Sequence, residues 1–131
     1  MEPTSQPAPL SKKILWTARV MSALPVLLLL FSGIMKFIPS PQLNEGFSHL
    51  GLPGSMAVGL GVLELGCTAI YLIPRTAVLG AILLTGYLGG AVLTHLRVGD
   101  PCWAQVLFGV FLWGGLYLRD VRLRALIPLR R

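Results

Sequence analysis

The stretch from Ser55 to Ile73 (SMAVGLGVLELGCTAIYLI) constrains this chain more than any other part of it. It is apolar over about the length that a helix needs to cross a bilayer, and its one charged residue is Glu64. A carboxylate at that depth is costly in lipid, so we expect it to face other protein segments and to meet a partner there. The stretch therefore predicts a membrane-spanning helix with a polar contact inside a bundle.

The composition supports a membrane protein along the whole chain. Of the 131 residues, 54% are hydrophobic and only 12% are charged. A soluble domain of this size cannot bury so much apolar surface in one core. The net charge of +6 comes from basic residues that flank apolar segments, which is typical of membrane proteins and not of nucleic-acid-binding proteins. We expect the lipid bilayer as a partner and no nucleic acid.

Four apolar segments, separated by proline and glycine, predict an all-α fold in which four transmembrane helices form an antiparallel bundle. Ser40 and Pro41 favour a helix start between the first two segments, so we expect a short interfacial helix there. The transmembrane domain is predicted at residues 14–118, with helices at about 14–37, 55–73, 76–98 and 102–118.

The basic residues predict the orientation. If both termini lie on one side of the membrane, that side holds Lys12, Lys13, Arg75 and the arginines of the C-terminal tail, whereas the other side holds Lys36 and Arg97. Basic segments stay in the cytoplasm, so both termini are predicted to be cytoplasmic. Residues 1–13 are expected to form a disordered tail, and residues 119–131 a basic tail.

Residue spacing also predicts local contacts. Small and polar residues recur on one face of the first segment at Ser22, Pro25, Leu29, Ser32, Gly33 and Lys36, and this face is expected to meet the other helices. In the third segment Gly86, Gly90 and Thr94 recur every four residues, which favours another helix contact. Asp100 and Pro101 are typical of an N-cap and a first helical position.

The predicted orientation places several polar side chains near one another. Glu64 lies about 13 Å below the outer end of its helix at 1.5 Å per residue. Because side chains tilt toward the N-terminus of their own helix, Glu64 leans outward, and Lys36 and His95 lean inward from the outer ends of their helices. Tyr87 extends the cluster along the third helix, and Arg97 lies at its outer edge. These five residues are the candidates for binding a ligand or a proton.

A structural role is open for each of these residues. A buried Lys36–Glu64 pair can serve only to fix helix register, His95 can be a cation at a helix terminus, and Tyr87 can be a packing residue. Neither a catalytic residue nor a metal site is predicted. The cysteines form no CxxC motif, and no histidine pair suits haem.

Four short motifs follow one another between Ser32 and Leu96, within a resemblance that extends from about Leu15 to Leu118: Ser32-Gly33-Ile34-Met35-Lys36, Leu50-Gly51-Leu52-Pro53, Gly61-Val62-Leu63-Glu64-Leu65 and Gly90-Ala91-Val92-Leu93-Thr94-His95-Leu96. In this order and spacing the chain resembles the DoxX-like family of small bacterial proteins with four transmembrane helices. The resemblance implies residence in the bacterial inner membrane. It also implies a link to quinone chemistry, through the family's relationship to DoxD, the subunit type of a thiosulfate:quinone oxidoreductase.

The polar cluster and the resemblance together favour a redox-associated subunit that binds a quinone or another lipid-soluble molecule near Glu64 and works with a soluble redox partner. Two other functions stay open. One is a non-enzymatic scaffold that docks a partner protein, in which the Lys36–Glu64 pair is a structural clasp. The other is a small proton or solute carrier that acts as a homo-oligomer. The sequence leaves open whether the chain is an enzyme.

Overall fold

A computed structural model describes residues 11–127 and 129. Within these residues every regular element is helical, which confirms the predicted all-α class. The elements are α1 (Lys12–Met35), α2 (Pro41–His49), α3 (Ala57–Leu72), α4 (Ala77–Arg97), α5 (Trp103–Arg119) and α6 (Val121–Leu126), with 3-10 turns at Gly54–Met56 and Pro74–Thr76 before α3 and α4. The predicted tail residues 1–10, and the last two arginines of the basic tail, lie outside the described residues.

Three stretches in the described part of the chain are long and apolar enough to cross a membrane: Lys12–Met35, Gly54–Leu72 and Pro74–Arg97. Many large apolar side chains on these helices point outward, and Leu27 and Leu93 are 63% and 68% exposed. Such a surface is stable against lipid tails and unstable in water. The chain is a membrane protein.

The long helices pack around one shared core. α1 contacts α3 and α5, and α4 contacts the same two helices. The three largest fully buried side chains, Tyr71, Leu84 and Leu112, come from α3, α4 and α5. The face of α1 that was predicted to meet the other helices does so, because Ser22, Pro25, Leu29 and Gly33 are all buried.

The core also contains a satisfied polar contact. The hydroxyl of Tyr71 donates to the backbone oxygen of Leu112 at 2.6 Å, and lies 2.8 Å from Oγ of Ser22. Since the single phenolic proton goes to the carbonyl, Ser22 is the donor in the second contact. The contact links α1, α3 and α5 at a depth where an unpaired hydroxyl would be costly.

Close helix contacts depend on glycine at particular places. A Cβ atom at Gly80 would overlap the backbone of Tyr71 and Ile70, and one at Gly115 would overlap the side chain of Ser22. α4 therefore touches α3, and α5 touches α1, at nearly backbone distance.

The prediction that Gly86, Gly90 and Thr94 form a helix contact is wrong. A Cβ at Gly86 or Gly90 would meet nothing within 4 Å, and all three residues line a cavity. The reason is the rotation of α4 about its own axis. Its buried face, which includes Gly80 and Leu84, points toward the core, so the face that carries Gly86 lies to one side.

The helix boundaries follow local capping. Ser11 Oγ accepts from the backbone nitrogen of Ile14 at 3.2 Å, so α1 starts at Lys12 and takes in two residues that were assigned to the tail. Ser40 caps α2 in the same way, accepting from Leu43 N at 3.1 Å. The predicted short helix with Pro41 at its start is thus confirmed, and Gly51 follows it with a φ of 75°.

Two boundaries near the end of the chain differ from the predictions. α5 starts at Trp103, and its N-cap is Cys102 and not Asp100, because the Asp100 carboxylate is paired with His49 at 2.8 Å. The residues expected to form only a basic tail contain α6, whose N-cap Asp120 accepts from Arg122 N at 2.9 Å.

Candidate functional site

The centre of the candidate site is an ion pair between α3 and the end of α1. The ammonium of Lys36 lies 3.4 Å from Oε1 and 3.5 Å from Oε2 of Glu64. The two side chains are only 13% and 3% exposed. Lys36 is the first residue after α1, and Glu64 lies near the middle of α3, so the pair joins these two helices.

Two glycines allow α1 and α3 to approach closely enough for this pair. A Cβ at Gly33 would lie 2.7 Å from the Leu65 side chain and 2.9 Å from Glu64 Oε2. A Cβ at Gly61 would lie 3.1 Å from both the Gly33 carbonyl oxygen and the Lys36 Cβ. A larger residue at either position would push the lysine and the glutamate apart.

Ser32 and Tyr87 complete the set of groups around the carboxylate. The Tyr87 hydroxyl donates to Glu64 Oε1 at 2.8 Å, and Ser32 Oγ donates to the same oxygen at 3.4 Å. Lys36 donates in turn to Ser32 Oγ at 2.8 Å. Ser32, Lys36, Glu64 and Tyr87 are called the polar cluster below. Three helices contribute to it, and three side chains donate to Glu64.

The sequence analysis did not predict Ser32 as a hydrogen-bond donor to the Glu64 carboxylate. The pattern contained the information, since Ser32 precedes Lys36 by four residues and therefore lies one helical turn away on the same face. Two nearby residues of α3 have other roles: Thr68 donates to the Glu64 backbone oxygen at 2.7 Å, and Cys67 belongs to the hydrophobic core.

A cavity of about 420 Å³ opens beside the polar cluster. Lys36, Tyr87 and His95 form its polar wall. The rest is mainly apolar and comes from α2 and the loop after it, from the start of α3, and from the small-residue face of α4: Phe47, Leu50, Leu52, Met56, Leu60, Leu63, Gly86, Gly90, Ala91 and Thr94. We call this space the Lys36 cavity. The wall formed by α2 was not predicted from the sequence.

His95 lies in the wall of the Lys36 cavity but makes no hydrogen bond to Glu64. Its Nδ1 lies 2.7 Å from the backbone oxygen of Ala91. Because a carbonyl oxygen can only accept, this nitrogen carries the proton, and Nε2 of the neutral ring is an acceptor. The side-chain nitrogen of Gln105 lies 3.4 Å from Nε2. The ring is thus oriented by its own helix and by α5.

Arg97 and Asp100 bind the outside of α2 and do not touch the polar cluster. A guanidinium nitrogen of Arg97 donates to the Leu50 backbone oxygen, and Asp100 pairs with His49. Since Leu50 also lines the Lys36 cavity, these two contacts fasten α2 over the cavity. Arg97 was predicted at the outer edge of the site. In the structure it binds the Leu50 carbonyl oxygen, which follows α2.

The arrangement can recognise a mainly apolar molecule with a small polar head. Lys36 is a donor at the cavity wall. The Tyr87 hydroxyl donates its hydrogen bond to Glu64, so its oxygen is free to accept one from a ligand. Nε2 of a neutral His95 ring can accept a hydrogen bond as well. Glu64 lies behind the wall and is linked to the cavity through Tyr87 and Lys36. Within the described residues, no group of three histidine, cysteine, aspartate or glutamate side chains is placed to hold a metal ion.

Comparison with known proteins places the chain by its sequence. The model of the DoxX-like family matches residues 20–116, which is most of the chain. The matched range contains the whole polar cluster and the Lys36 cavity. No curated protein and no solved structure matches the chain.

Proposed function

This chain belongs to the DoxX-like family, and from that premise we propose that it is a redox-associated membrane subunit that binds a quinone or another lipid-soluble molecule in the Lys36 cavity. The observation that carries the proposal is the cavity itself: it measures about 420 Å³ and is mainly apolar, and two of its polar lining residues, Lys36 and Tyr87, donate to Glu64. Ligand sites for small molecules combine an apolar lining with a few converging polar groups in this way.

The chemistry of the wall supports a quinone-type head group. A quinone oxygen accepts hydrogen bonds, and Lys36 can donate to it. A quinol hydroxyl donates, and Tyr87 Oη or His95 Nε2 can accept from it. In this proposal the polar cluster holds one of the two protons that the head group gains or loses with two electrons, because Lys36 and Tyr87 line the cavity and both contact the Glu64 carboxylate. The other proton is exchanged with solvent. Electrons are exchanged with a separate, soluble redox partner.

The proposal includes a membrane arrangement. α5 is a fourth spanning helix of 17 residues, antiparallel to its neighbours, in the bacterial inner membrane. Both termini are cytoplasmic, since Lys12, Lys13 and Arg75 then lie on the inner side together with the arginines that follow Leu118. The Lys36 cavity then faces the outer half of the bilayer, where a lipid-soluble ligand can enter it from the side.

Native mass spectrometry of the detergent-purified protein tests the proposal, because it reports bound small molecules and the number of subunits together. A matched pair of variants locates the ligand. Gly90 lines the cavity and Gly89 does not, and a Cβ at either meets nothing within 4 Å. A leucine at position 90 leans toward Gly86 and fills the cavity.

We expect the wild type and Gly89→Leu to carry a quinone-sized molecule, and Gly90→Leu to lose it. If the wild type carries none and takes up none when a short-chain quinone is added, the proposal is wrong.

A second function, a scaffold that docks a partner protein, is favoured by one observation. The polar cluster satisfies itself: Glu64 accepts from Ser32, Lys36 and Tyr87 without needing a ligand. A self-contained cluster of this kind suits a clasp that fixes the register of α1, α3 and α4. The two functions predict different effects of removing both Lys36 and Glu64: ligand binding weakens if the cluster recognises a ligand, and it is unchanged if the cluster only holds the helices together.

A further inference from the structure

A second cavity lies at the opposite end of the bundle from Lys36, and its wall is rich in arginine. Its volume is about 880 Å³. Arg19 of α1, Arg119 at the end of α5 and Arg122 of α6 line it, together with Tyr71 and the cap residue Asp120. We call it the arginine cavity. It is separate from the proposed ligand site and does not depend on that proposal.

Among the described residues that line this cavity, three arginines face one carboxylate, that of Asp120, so positive charge is in excess. Among the described residues the two salt bridges are Lys36–Glu64 and His49–Asp100, so none of the three arginines is paired with an acid. The one carboxylate nearby, Asp120, is engaged by the backbone nitrogens of Arg122 and Leu123 at 2.9 Å and 3.4 Å. It serves α6 as an N-cap.

Arg119 provides the most specific observation. Its Nε is buried and has no hydrogen-bond partner among the residues that the structure describes. Its guanidinium carbon lies 5.5 Å from the centre of the Tyr71 ring, a cation–π contact that holds the group in place. A buried donor without an acceptor is costly, and a guanidinium held in one plane is well suited to bind two oxygens of a phosphate.

The remaining wall indicates where the phosphate comes from. Leu15, Leu72 and Leu116 line the same cavity and come from the helix ends that meet there. A ligand in this space therefore has an anionic group beside the arginines and an apolar part along the helices. A phospholipid has this combination, and anionic lipids attract basic groups at a membrane surface.

We infer that the arginine cavity binds the phosphate head group of an anionic phospholipid, with Arg119 as its main ligand and with Arg19 and Arg122 at its sides.

Lipid retention tests this inference. The purified full-length protein is mixed with phosphatidylglycerol and phosphatidylcholine in equal amounts, and bound lipids are counted by native mass spectrometry. We expect one phosphatidylglycerol to be retained by the wild type. We expect Arg119→Gln to reduce its retention about tenfold, which corresponds to the loss of one charge-assisted hydrogen bond. Lys12→Gln is the matched control, because Lys12 carries the same charge in the first turn of α1 but does not line the cavity.

Two further measurements separate binding from folding. Phosphatidylglycerol should raise the unfolding temperature of the wild type, and should raise that of Arg119→Gln by less at the same lipid concentration. If Arg119→Gln does not fold, Arg122→Gln takes its place, since that side chain is exposed. Equal retention of both lipids, or an equal loss in Lys12→Gln, would overturn the inference. Displacement of the lipid by millimolar inorganic phosphate would show free phosphate to be the ligand and would overturn the assignment to a phospholipid.

Discussion

The Lys36 ammonium and the Glu64 carboxylate lie 3.4 Å apart across the contact between α1 and α3, and both side chains are largely buried. In a bilayer such a pair is costly to desolvate, and it is also costly to break. Each partner is therefore stable in its position mainly because the other is present.

Removal of one partner should destabilise the protein more than removal of both. We expect Lys36→Met to lower the free energy of unfolding by about 3 kcal/mol, since Glu64 then keeps only Ser32 and Tyr87 as donors. The double variant Lys36→Met, Glu64→Gln should recover most of this loss, because no unpaired charge remains and the amide oxygen still accepts from Tyr87. Chemical denaturation in mixed micelles measures both. A double variant no more stable than Lys36→Met would show that the two side chains are not coupled.

The hydrogen bond from Tyr87 to Glu64 makes a smaller contribution. Tyr87→Phe removes the hydroxyl that lies 2.8 Å from Oε1 and should cost about 1 kcal/mol, the usual size for one hydrogen bond in a membrane protein. Tyr117→Phe is the control, because the Tyr117 ring lies under Arg124, away from the cluster. If both variants unfold at the same temperature, the Tyr87 hydroxyl does not stabilise the carboxylate.

Two glycines of α4 should respond differently to replacement by alanine. At Gly80 an added methyl group would overlap the backbone of α3, which cannot move aside, so Gly80→Ala should destabilise by about 1–3 kcal/mol. At Gly89 the methyl group would meet open space, and Gly89→Ala should be neutral or should stabilise by up to about 1 kcal/mol through helix propensity. Thermal unfolding in detergent compares them, and a Gly80→Ala protein as stable as wild type would contradict the close contact of α3 and α4.

The fastening of α2 over the Lys36 cavity should depend on Asp100. The His49–Asp100 contact is partly exposed, and an ion pair of this kind contributes about 0.2–1 kcal/mol when the histidine is protonated. Asp100→Asn should therefore speed amide hydrogen exchange in Pro41–His49 by up to about fivefold. Glu45→Gln removes the same charge from the exposed face of α2 and should leave the exchange unchanged. Unchanged exchange in Asp100→Asn would show that α2 is held by other contacts.

Parts of the molecule that depend on local sequence could be predicted from the chain. Hydrophobic runs and helix-terminal residues such as Ser40 act locally, so the helices and the start of α2 could be predicted from the chain alone. The Lys36–Glu64 contact could be predicted because a charge in an apolar segment has few partners available to it. Ser32 was not assigned to the carboxylate, because a small hydroxyl on a buried face is also consistent with plain packing.

The remaining features depend on how the helices are rotated against one another. Gly86 and Gly90 have the spacing of a helix contact, but the rotation of α4 turns them to a cavity. Asp100 has the position of an N-cap, but a tertiary partner, His49, takes its carboxylate. No local sequence pattern predicts that α2 lies over the cavity, because this placement depends on contacts between residues about fifty positions apart in the chain.

The most direct test of the proposed function is the affinity of a short-chain quinone for the wild type and for the double variant Lys36→Met, Glu64→Gln, measured by titration in the same detergent after both have been shown to be folded. If the polar cluster recognises the head group of the ligand, the double variant binds at least tenfold more weakly than the wild type. Equal affinity in the two proteins would show that Lys36 and Glu64 only hold the helices together, and would contradict the account given for this site.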